Sequence, residues 1–129
     1  MTYAYDPDNI FARLLRGEIP NRTVLETERS LAFHDIHPQA PVHVLVIPKG
    51  PYVNAAHFAE EASDAEIVDF ARAVARVARE TGCAPQGGAG GFRTLSNAGP
   101  DAHQEVPHYH VHVFGGAFLG RMINVPNRG

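Results

Sequence analysis

Apolar and polar residues alternate along several stretches of the N-terminal half of the chain, and such alternation predicts β-strands. Residues 23–25 and 30–35 flank a short polar connection, which favours a hairpin. Residues 42–47 form a third, more apolar strand, which ends at Pro48-Lys49-Gly50. The pattern therefore predicts three consecutive strands in this part of the chain.

A short helix is predicted before these strands. Its apolar residues recur at helical spacing and are Ile10, Phe11, Leu14 and Leu15. Asp8 or Asn9 offers a side chain that can cap the first turn, and Gly17 follows Arg16 as a stop signal. We therefore expect a helix that ends at about Arg16.

From Ala62 to about Thr81 the apolar residues recur every 3.6 positions, which predicts the main helix. Its apolar face is formed by Ile67, Phe70, Val74 and either Val77 or Ala78. Ser63 and Glu66 have the spacing of a capping box, and Gly82 can end the helix. The charged residues lie largely outside the apolar face, so we interpret them as a solvated surface.

Two more strands are predicted after the main helix. Residues 92–97 alternate, and residues 108–114 form a run that ends at Gly115-Gly116. The glycine-rich residues 87–91 precede a strand instead of joining a strand to a helix, so we interpret them as a flexible connection. This order of elements predicts an α+β fold, an antiparallel sheet with its helices gathered on one side.

Composition narrows the possible protein classes. The chain has 129 residues, 44% of them hydrophobic, which suits one domain with its own core. The net charge of -3 does not favour a nucleic-acid partner, and no apolar stretch is long enough to suggest a membrane span. A single cysteine, Cys83, excludes an internal disulfide framework. We expect a cytoplasmic protein.

The main chemical feature is the run His-Tyr-His-Val-His-Val-Phe at residues 108–114. Successive side chains of a strand point to opposite faces, so the run predicts a row of imidazoles on one face and apolar residues on the other. The imidazoles belong to His108, His110 and His112. Three interpretations are open: solvent-facing polar positions, a metal site built on His-x-His, or phosphoryl or nucleotidyl transfer by a neutral imidazole.

Several segments of the chain resemble the histidine triad (HIT) family, and most closely its Hint branch of purine nucleoside phosphoramidases. The histidine run matches the family's alternating motif, and matching segments precede it in the same order. These are Ile10-Phe11, Glu18-Ile19-Pro20, Phe33-His34-Asp35-Ile36, Pro38-Gln39-Ala40-Pro41 and His43-Val44-Leu45-Val46-Ile47-Pro48-Lys49. The resemblance covers residues 9–116 and leaves a tail at 117–129. It implies a single HIT-like domain with a five-stranded antiparallel sheet, one short N-terminal helix and one long helix.

The resemblance implies roles for four histidines. His110 falls at the position of the nucleophile, which attacks the α-phosphorus of a nucleotide derivative and forms a nucleotidyl-histidine that water hydrolyses. His108 and His43 fall where relatives orient and polarise this nucleophile. His112 falls where an imidazole contacts the phosphate. The chemistry suits a neutral imidazole, which is nucleophilic at a pH of about 7.

The resemblance also implies a nucleotide-binding site. Asp35 matches an acid that accepts hydrogen bonds from the ribose hydroxyls, and Asn97 and Gln104 match positions near the phosphate. The residues that would line the nucleoside pocket are Phe11, Phe33, His34 and Ile36. Judged without the resemblance, Asp35 is an ordinary turn residue and the pocket residues are equally good packing residues.

Some positions depart from the pattern of Hint proteins. Glu105 stands where a serine is usual near the leaving group, and a carboxylate there can repel an anionic substrate, or donate a proton if its pKa is raised. His103 replaces a glycine and Thr23 replaces an apolar residue, while the tail from Ala117 lacks a tryptophan found in animal relatives. There are no cysteine partners for the structural zinc of some bacterial members. We expect neither a metal nor a cofactor.

The resemblance further implies a homodimer that is joined through the sheets and the long helix, and a purine nucleotide substrate of the AMP or GMP type. Two classes of function stay open. The first is an enzyme that hydrolyses nucleoside 5′-phosphoramidates or similar conjugates through His110. The second is a purine nucleotide-binding or interaction module with little turnover. A cupin-like metal enzyme is less favoured, because no glutamate follows His112 at the spacing of a metal ligand.

Overall fold

The computed structural model describes residues 3–123 of the chain. Within this range the strands are Thr23–Glu26 (β1), Ser30–His34 (β2), Val42–Pro48 (β3), Phe92–Leu95 (β4) and Val111–Gly115 (β5). The α-helices are Ile10–Leu15 (α1), Ala55–Glu61 (α2) and Asp64–Glu80 (α3), and short 3-10 turns occur at Pro85–Gly87 and Pro100–Ala102. The end of the predicted tail, 124–129, lies outside the described residues.

The strands form one antiparallel sheet in the order β1-β2-β3-β5-β4. This confirms the α+β fold and the five-stranded antiparallel sheet. β3 and β5 are neighbours, with Leu45 opposite His112 and His43 opposite Phe114. The pairing brings two histidines that are distant in sequence onto adjacent strands.

The helices lie on both faces of the sheet. α2 and α3 pack on one face through Phe58, Phe70 and Val77, whereas α1 packs on the opposite face through Phe11 and Leu14. The expectation that the helices gather on one side is therefore wrong. The reason is that β3 is buried on both faces, so that each face of the sheet requires a covering helix.

The main helix was predicted within two residues at each end. The Ser63 side chain accepts a hydrogen bond from the Glu66 N–H and the Glu66 carboxylate accepts one from the Ser63 N–H, which completes the capping box. The short helix α2 was not predicted. Its one local signal is Asn54, whose side chain accepts a hydrogen bond from the N–H of His57 at the helix start.

The histidine strand is shorter than predicted. β5 begins at Val111, so that the residues from 108 to 110 lie outside the ladder. The Tyr109 N–H donates to the carbonyl of Tyr52 at 2.7 Å, and the Ser96 hydroxyl donates to the carbonyl of His110 at 2.8 Å. These bonds replace strand pairing, because a buried backbone group needs a partner of some kind. β4 likewise ends at Leu95 and not at residue 97.

No helix within residues 3–123 is both long enough and apolar enough to span a bilayer.

Phe70→Ala tests the packing of α3 on the sheet. The Phe70 ring is buried and lies 5.2 Å from the ring of Phe58 and 5.0 Å from that of Tyr109, measured between centroids. We expect the substitution to lower the free energy of unfolding by about 3–5 kcal/mol, measured by urea denaturation. The matched control is Phe118→Ala, because Phe118 is 97% exposed and its truncation should change stability by less than about 0.5 kcal/mol. Equal losses in both variants would contradict the assignment of Phe70 to the core.

Candidate active site

Three histidine rings lie together on the face of the sheet that α1 covers. His43 belongs to β3, His112 belongs to β5, and His110 directly precedes β5. The ring centroids of His110 and His112 are 5.0 Å apart, and those of His43 and His112 are 5.2 Å apart. The structure therefore brings three of the four predicted histidines into one cluster.

Hydrogen bonds determine where His43 and His112 carry their protons. The backbone N–H of Gln39 donates to Nδ1 of His43 at 3.1 Å, so Nδ1 holds a lone pair and the proton of the neutral ring is on Nε2. Nε2 of His43 lies 2.9 Å from Nδ1 of His112 and donates to it. His112 must then carry its own proton on Nε2, which is a hydrogen-bond donor.

His110 has the opposite arrangement. Its Nδ1 lies 2.7 Å from the carbonyl oxygen of His108, and because a carbonyl only accepts, Nδ1 carries the proton. Nε2 of His110 therefore holds a lone pair. The cluster therefore offers a lone pair on Nε2 of His110 and, on the neighbouring ring of His112, an N–H donor.

Burial keeps these rings neutral. It lowers the pKa of His110 and of His43, and it lowers the pKa of His112 to about 4, with smaller contributions from the neighbouring imidazoles. The carboxylate of Asp35 acts against burial and raises the pKa of all three rings. Because burial has the largest effect on these pKa values, each ring is mainly in its neutral form at a pH of about 7.

His108 is fully buried, and its ring makes its hydrogen bonds outside the cluster of His43, His110 and His112. The Tyr5 hydroxyl donates to Nδ1 at 2.7 Å, and Nε2 lies 2.8 Å from the carbonyl oxygen of Pro48 and donates to it. Burial lowers its pKa to about 4. The sequence predicted that His108 orients the nucleophile. Its contact with His110 is made by the backbone carbonyl, while its ring joins the N-terminal segment to β3.

Asp35 follows β2 and lies beside the cluster. Its Oδ2 is 3.4 Å from Nε2 of His43, and its Oδ1 accepts a hydrogen bond from the N–H of His37 at 2.8 Å. The Asp35 side chain is 19% exposed, so it remains accessible to a ligand.

The predicted nucleoside-pocket residues differ in exposure. Phe11 and Phe33 are buried, and the Phe11 ring meets the His110 ring edge-on at 5.1 Å between centroids. His34 is half-buried and Ile36 is 82% exposed. Phe11 therefore packs against the cluster, Phe33 lies against Phe11 at 5.5 Å between ring centroids, and Ile36 presents apolar surface to solvent beside Asp35.

The two predicted phosphate contacts lie on the connection between β4 and β5. Asn97 is half-buried, two residues after β4. Gln104 is tied down by its own amide: Oε1 accepts from the Gly99 N–H at 3.0 Å, and Nε2 donates to the carbonyls of Val53 and Val106 at 2.8 and 3.1 Å. Both N–H groups of Gln104 are thus used within the protein, and a phosphate contact from them requires one of these bonds to open.

Glu105 is mostly exposed, and its Oε1 lies 2.9 Å from Nε2 of His103. Its charge raises the pKa of His110, against the larger lowering by burial.

Sequence reasoning missed two groups of the site. The backbone N–H of Gln39 sets the proton of His43, and the hydroxyl of Tyr5 holds the ring of His108. Gln39 lies in a segment that matches the HIT family, but the group that acts is its backbone N–H, which the identity of the side chain does not reveal. Tyr5 lies in an N-terminal stretch with no regular pattern, so only the fold reveals its contact.

Asp35, His43 and His112 each offer one possible metal ligand, and these atoms lie within 4.8 Å of one another. The hydrogen bonds do not fit a metal here. Nε2 of His43 carries a proton as long as the Gln39 N–H occupies Nδ1, so this nitrogen has no lone pair for a cation.

The HIT domain family matches residues 16–119 of the chain. A HIT-like protein of Azospirillum brasilense is 59% identical over 123 residues, which is 95% of this chain and 98% of that protein. Among solved structures, a HIT family hydrolase from Clostridium thermocellum has a TM-score of 0.76 at 34% identity and covers 91% of this chain and 97% of its own. A histidine triad nucleotide-binding protein from Candida albicans has a TM-score of 0.73 at 27% identity, covering 93% and 87%. The sequence match and the shared architecture agree, and the chain belongs to the HIT domain family.

Proposed function

We propose that this protein is a nucleotide hydrolase or transferase of the Hint-like branch, which cleaves nucleoside 5′-phosphoramidates or related conjugates at the α-phosphorus. One observation carries the proposal: His110, with a lone pair on Nε2, has its ring 5.0 Å between centroids from the ring of His112, whose Nε2 carries an N–H donor. A nucleophile next to a donor for a phosphate oxygen is what displacement at phosphorus requires. A similar structure that is described as a HIT family hydrolase, and another described as a nucleotide-binding protein, support the same class.

In the first step Nε2 of His110 attacks the α-phosphorus and a nitrogen–phosphorus bond forms. The bond from phosphorus to the leaving amine breaks, and the amine nitrogen keeps the electron pair and takes a proton from solvent. The Nε2–H of His112 donates to a non-bridging oxygen as negative charge develops. The imidazole gains positive charge in this step, and the carbonyl of His108 at 2.7 Å stabilises it through Nδ1–H.

In the second step water attacks phosphorus and gives up a proton to solvent. The bond to His110 breaks, its electron pair returns to Nε2, and a nucleoside monophosphate leaves. The two-step route replaces one difficult displacement by two easier ones. Its requirement for a neutral, lone-pair-bearing His110 agrees with the burial that lowers the pKa of this residue.

The nucleoside is proposed to lie on the side of Asp35. The carboxylate would accept hydrogen bonds from the ribose hydroxyls, and the surface of Ile36 and His34 would cover a purine base of the AMP or GMP type. Phe11 and Phe33 would support this pocket from behind. Asn97 and Gln104 remain proposed contacts to the phosphate.

A second candidate function is a purine nucleotide-binding or interaction module with little turnover. It is favoured by Gln104, whose amide is engaged within the protein, and by the carboxylate of Glu105 near His110. Both features oppose the stabilisation of negative charge that develops on the phosphate during displacement, which slows turnover, while the proposed contacts to the nucleoside remain.

We further propose a cytoplasmic homodimer that is joined through the sheet and α3. β4 is an edge strand of the sheet, and its Phe92 is 39% exposed. A groove of about 630 Å³ runs beside it, lined mainly by small residues of α3 and the following turn, together with Arg79 and Gln86. A strand at the edge of the sheet within residues 3–123 and an adjoining, largely apolar groove are suited to a second copy of the chain.

His110→Ala tests the nucleophile. With adenosine 5′-phosphoramidate and excess chelator, we expect the variant to release AMP at least about 100-fold more slowly than the wild type, because covalent catalysis is lost. AMP binding, measured by calorimetry, should persist. If the wild type binds AMP but releases nothing measurable, the binding-module function replaces the enzyme function. If the variant retains its rate, His110 is not the nucleophile.

The pH dependence tests the protonation state. Because burial lowers the pKa of His110, the acidic limb of kcat/KM should lie below the ordinary histidine value of about 6.5. Asp35→Asn removes a charge that raises this pKa, so the limb should move to still lower pH, while the loss of the proposed ribose contact raises KM. Asp101→Asn, which removes an exposed acid elsewhere, serves as the control. A limb that moves to higher pH in Asp35→Asn would contradict this electrostatic account.

Phe92→Asp tests the dimer. A carboxylate on the edge strand β4 should not be tolerated in an apolar interface, so we expect the variant to be monomeric by light scattering coupled to gel filtration. Ile10→Asp on α1, where Ile10 is 47% exposed, is the control and should leave the mass unchanged. A wild-type mass of one chain, or a dimeric Phe92→Asp variant, would count against this interface.

A further inference from the structure

The segment that precedes α1 is anchored on both sides of Tyr5. Before it, the Tyr3 ring stacks on the His57 ring of α2, with the centroids 4.3 Å apart. After it, the side chain of Asn9, which caps α1, donates to the carbonyl of Asp6 at 2.8 Å. Because α2 and α1 cover opposite faces of the sheet, the segment passes from one face to the other with Tyr5 between its two anchors.

The ring of His108 makes one hydrogen bond through each nitrogen, and each bond has only one possible direction. The carbonyl oxygen of Pro48, 2.8 Å from Nε2, can only accept, so Nε2 carries the proton. Nδ1 then holds a lone pair, and the Tyr5 hydroxyl at 2.7 Å is its donor. His108 is fully buried, so the loss of this hydroxyl would leave a buried acceptor unsatisfied. Such a group is costly, and its cost favours a displaced ring.

The position of this ring affects His110 through one peptide group, which joins His108 to Tyr109. The carbonyl of this peptide accepts the Nδ1 proton of His110 at 2.7 Å, and its N–H donates to the carbonyl of Tyr52 at 2.7 Å. β5 begins only at Val111, so strand pairing does not hold the peptide. The direction of its carbonyl is therefore set by the bond to Tyr52 at one end and by the anchored His108 at the other.

We propose that Tyr5 is a positioning residue for the reaction of His110. Its hydroxyl fixes the ring of His108, the ring fixes the 108–109 peptide, and the carbonyl of that peptide keeps the proton of His110 on Nδ1. The lone pair is thereby kept on Nε2. This inference rests on the proposed function, in which His110 attacks phosphorus and gains positive charge. Because Tyr5 acts through His108, its loss should lower kcat and leave nucleotide binding unchanged.

Tyr5→Phe removes the hydroxyl and keeps the ring. With adenosine 5′-phosphoramidate as substrate we expect kcat to fall about tenfold, because a displaced carbonyl stabilises the charge on His110 less well. The affinity for AMP, measured by calorimetry, should change by less than about twofold, since binding and reaction are separable.

The matched control is Tyr3→Phe. It removes a hydroxyl from the same segment, where this group donates to the carboxylate of Glu60 on α2, and it keeps the ring that stacks on His57. We expect this variant to retain the wild-type kcat and the wild-type affinity for AMP.

The ring nitrogens provide a readout that does not depend on turnover. In protein labelled with ¹⁵N at histidine, protonated and lone-pair nitrogens have well-separated chemical shifts, so the spectrum reports the tautomer of each ring. In the wild type, His110 should carry its proton on Nδ1 and His108 on Nε2. In Tyr5→Phe the two shifts of His110 should move toward each other, as the form with its proton on Nε2 gains population. Tyr3→Phe should keep the wild-type shifts.

The outcomes distinguish this inference from the function on which it rests. If the wild type releases no AMP but the His110 shifts respond to Tyr5→Phe, the proposed function fails and the control of the His110 proton by Tyr5 is supported. If the wild type turns over and Tyr5→Phe keeps both its kcat and its shifts, the hydrolase function stands and the role of Tyr5 is overturned. Equal losses of kcat in Tyr5→Phe and Tyr3→Phe would overturn it as well.

A Tyr5→Phe protein that does not fold leaves the wild-type spectrum to decide. A His108 ring with its proton on Nδ1 would overturn the proposal, because the Tyr5 hydroxyl could then not be its donor. A ring with its proton on Nε2 alone supports it.

Discussion

Backbone hydrogen bonds that determine the position of each imidazole proton are the constraint on which the site depends. The Gln39 N–H gives His43 its proton on Nε2, and through His43 it gives His112 its proton on Nε2. The His108 carbonyl keeps the proton of His110 on Nδ1. Backbone groups cannot change between donor and acceptor, so the pattern is set before any ligand arrives. Preorganised donors and lone pairs of this kind reduce the rearrangement that a reaction requires.

The fold maintains this pattern by burying it. β3 is apolar on both faces, α3 covers one of them, and α1 covers the other beside the histidines. The Phe11 ring of α1 lies against His110, so the helix that closes the second face also desolvates the residue proposed as the nucleophile. Desolvation lowers the histidine pKa values, and the cost of burying the polar rings is offset by hydrogen bonds to all of them. The packing that stabilises this part of the fold therefore also keeps the histidines neutral.

The site has a buried layer and an exposed layer, and they serve different purposes. The histidines in the buried layer are neutral and rigidly paired, which suits the chemical step. Glu105 is largely exposed, so its charge is solvated and screened, whereas the Asp35 side chain is 19% exposed and borders the buried histidines. A residue such as Glu105 can therefore change while the chemistry beneath it is preserved.

The sequence by itself determined the regular elements and the chemical class of the site. Periodicity located α1, α3 and the five strands, and the run from 108 to 114, together with the matching segments that precede it, identified the family. Local signals sufficed there because amphipathic spacing and capping act between residues that are neighbours in the chain. They did not place α1 on the opposite face of the sheet, which depends on both faces of β3 being apolar and needing cover.

Only the tertiary structure decided how the histidines are used. It started β5 at Val111 and not at residue 108, so that His108 turns its ring to Tyr5 and its carbonyl to His110. It also placed the side-chain amide of Gln104 in hydrogen bonds with Gly99, Val53 and Val106. The physical reason is that a proton's position and a side chain's partner depend on groups that are far apart in sequence, which meet only after the strands have paired.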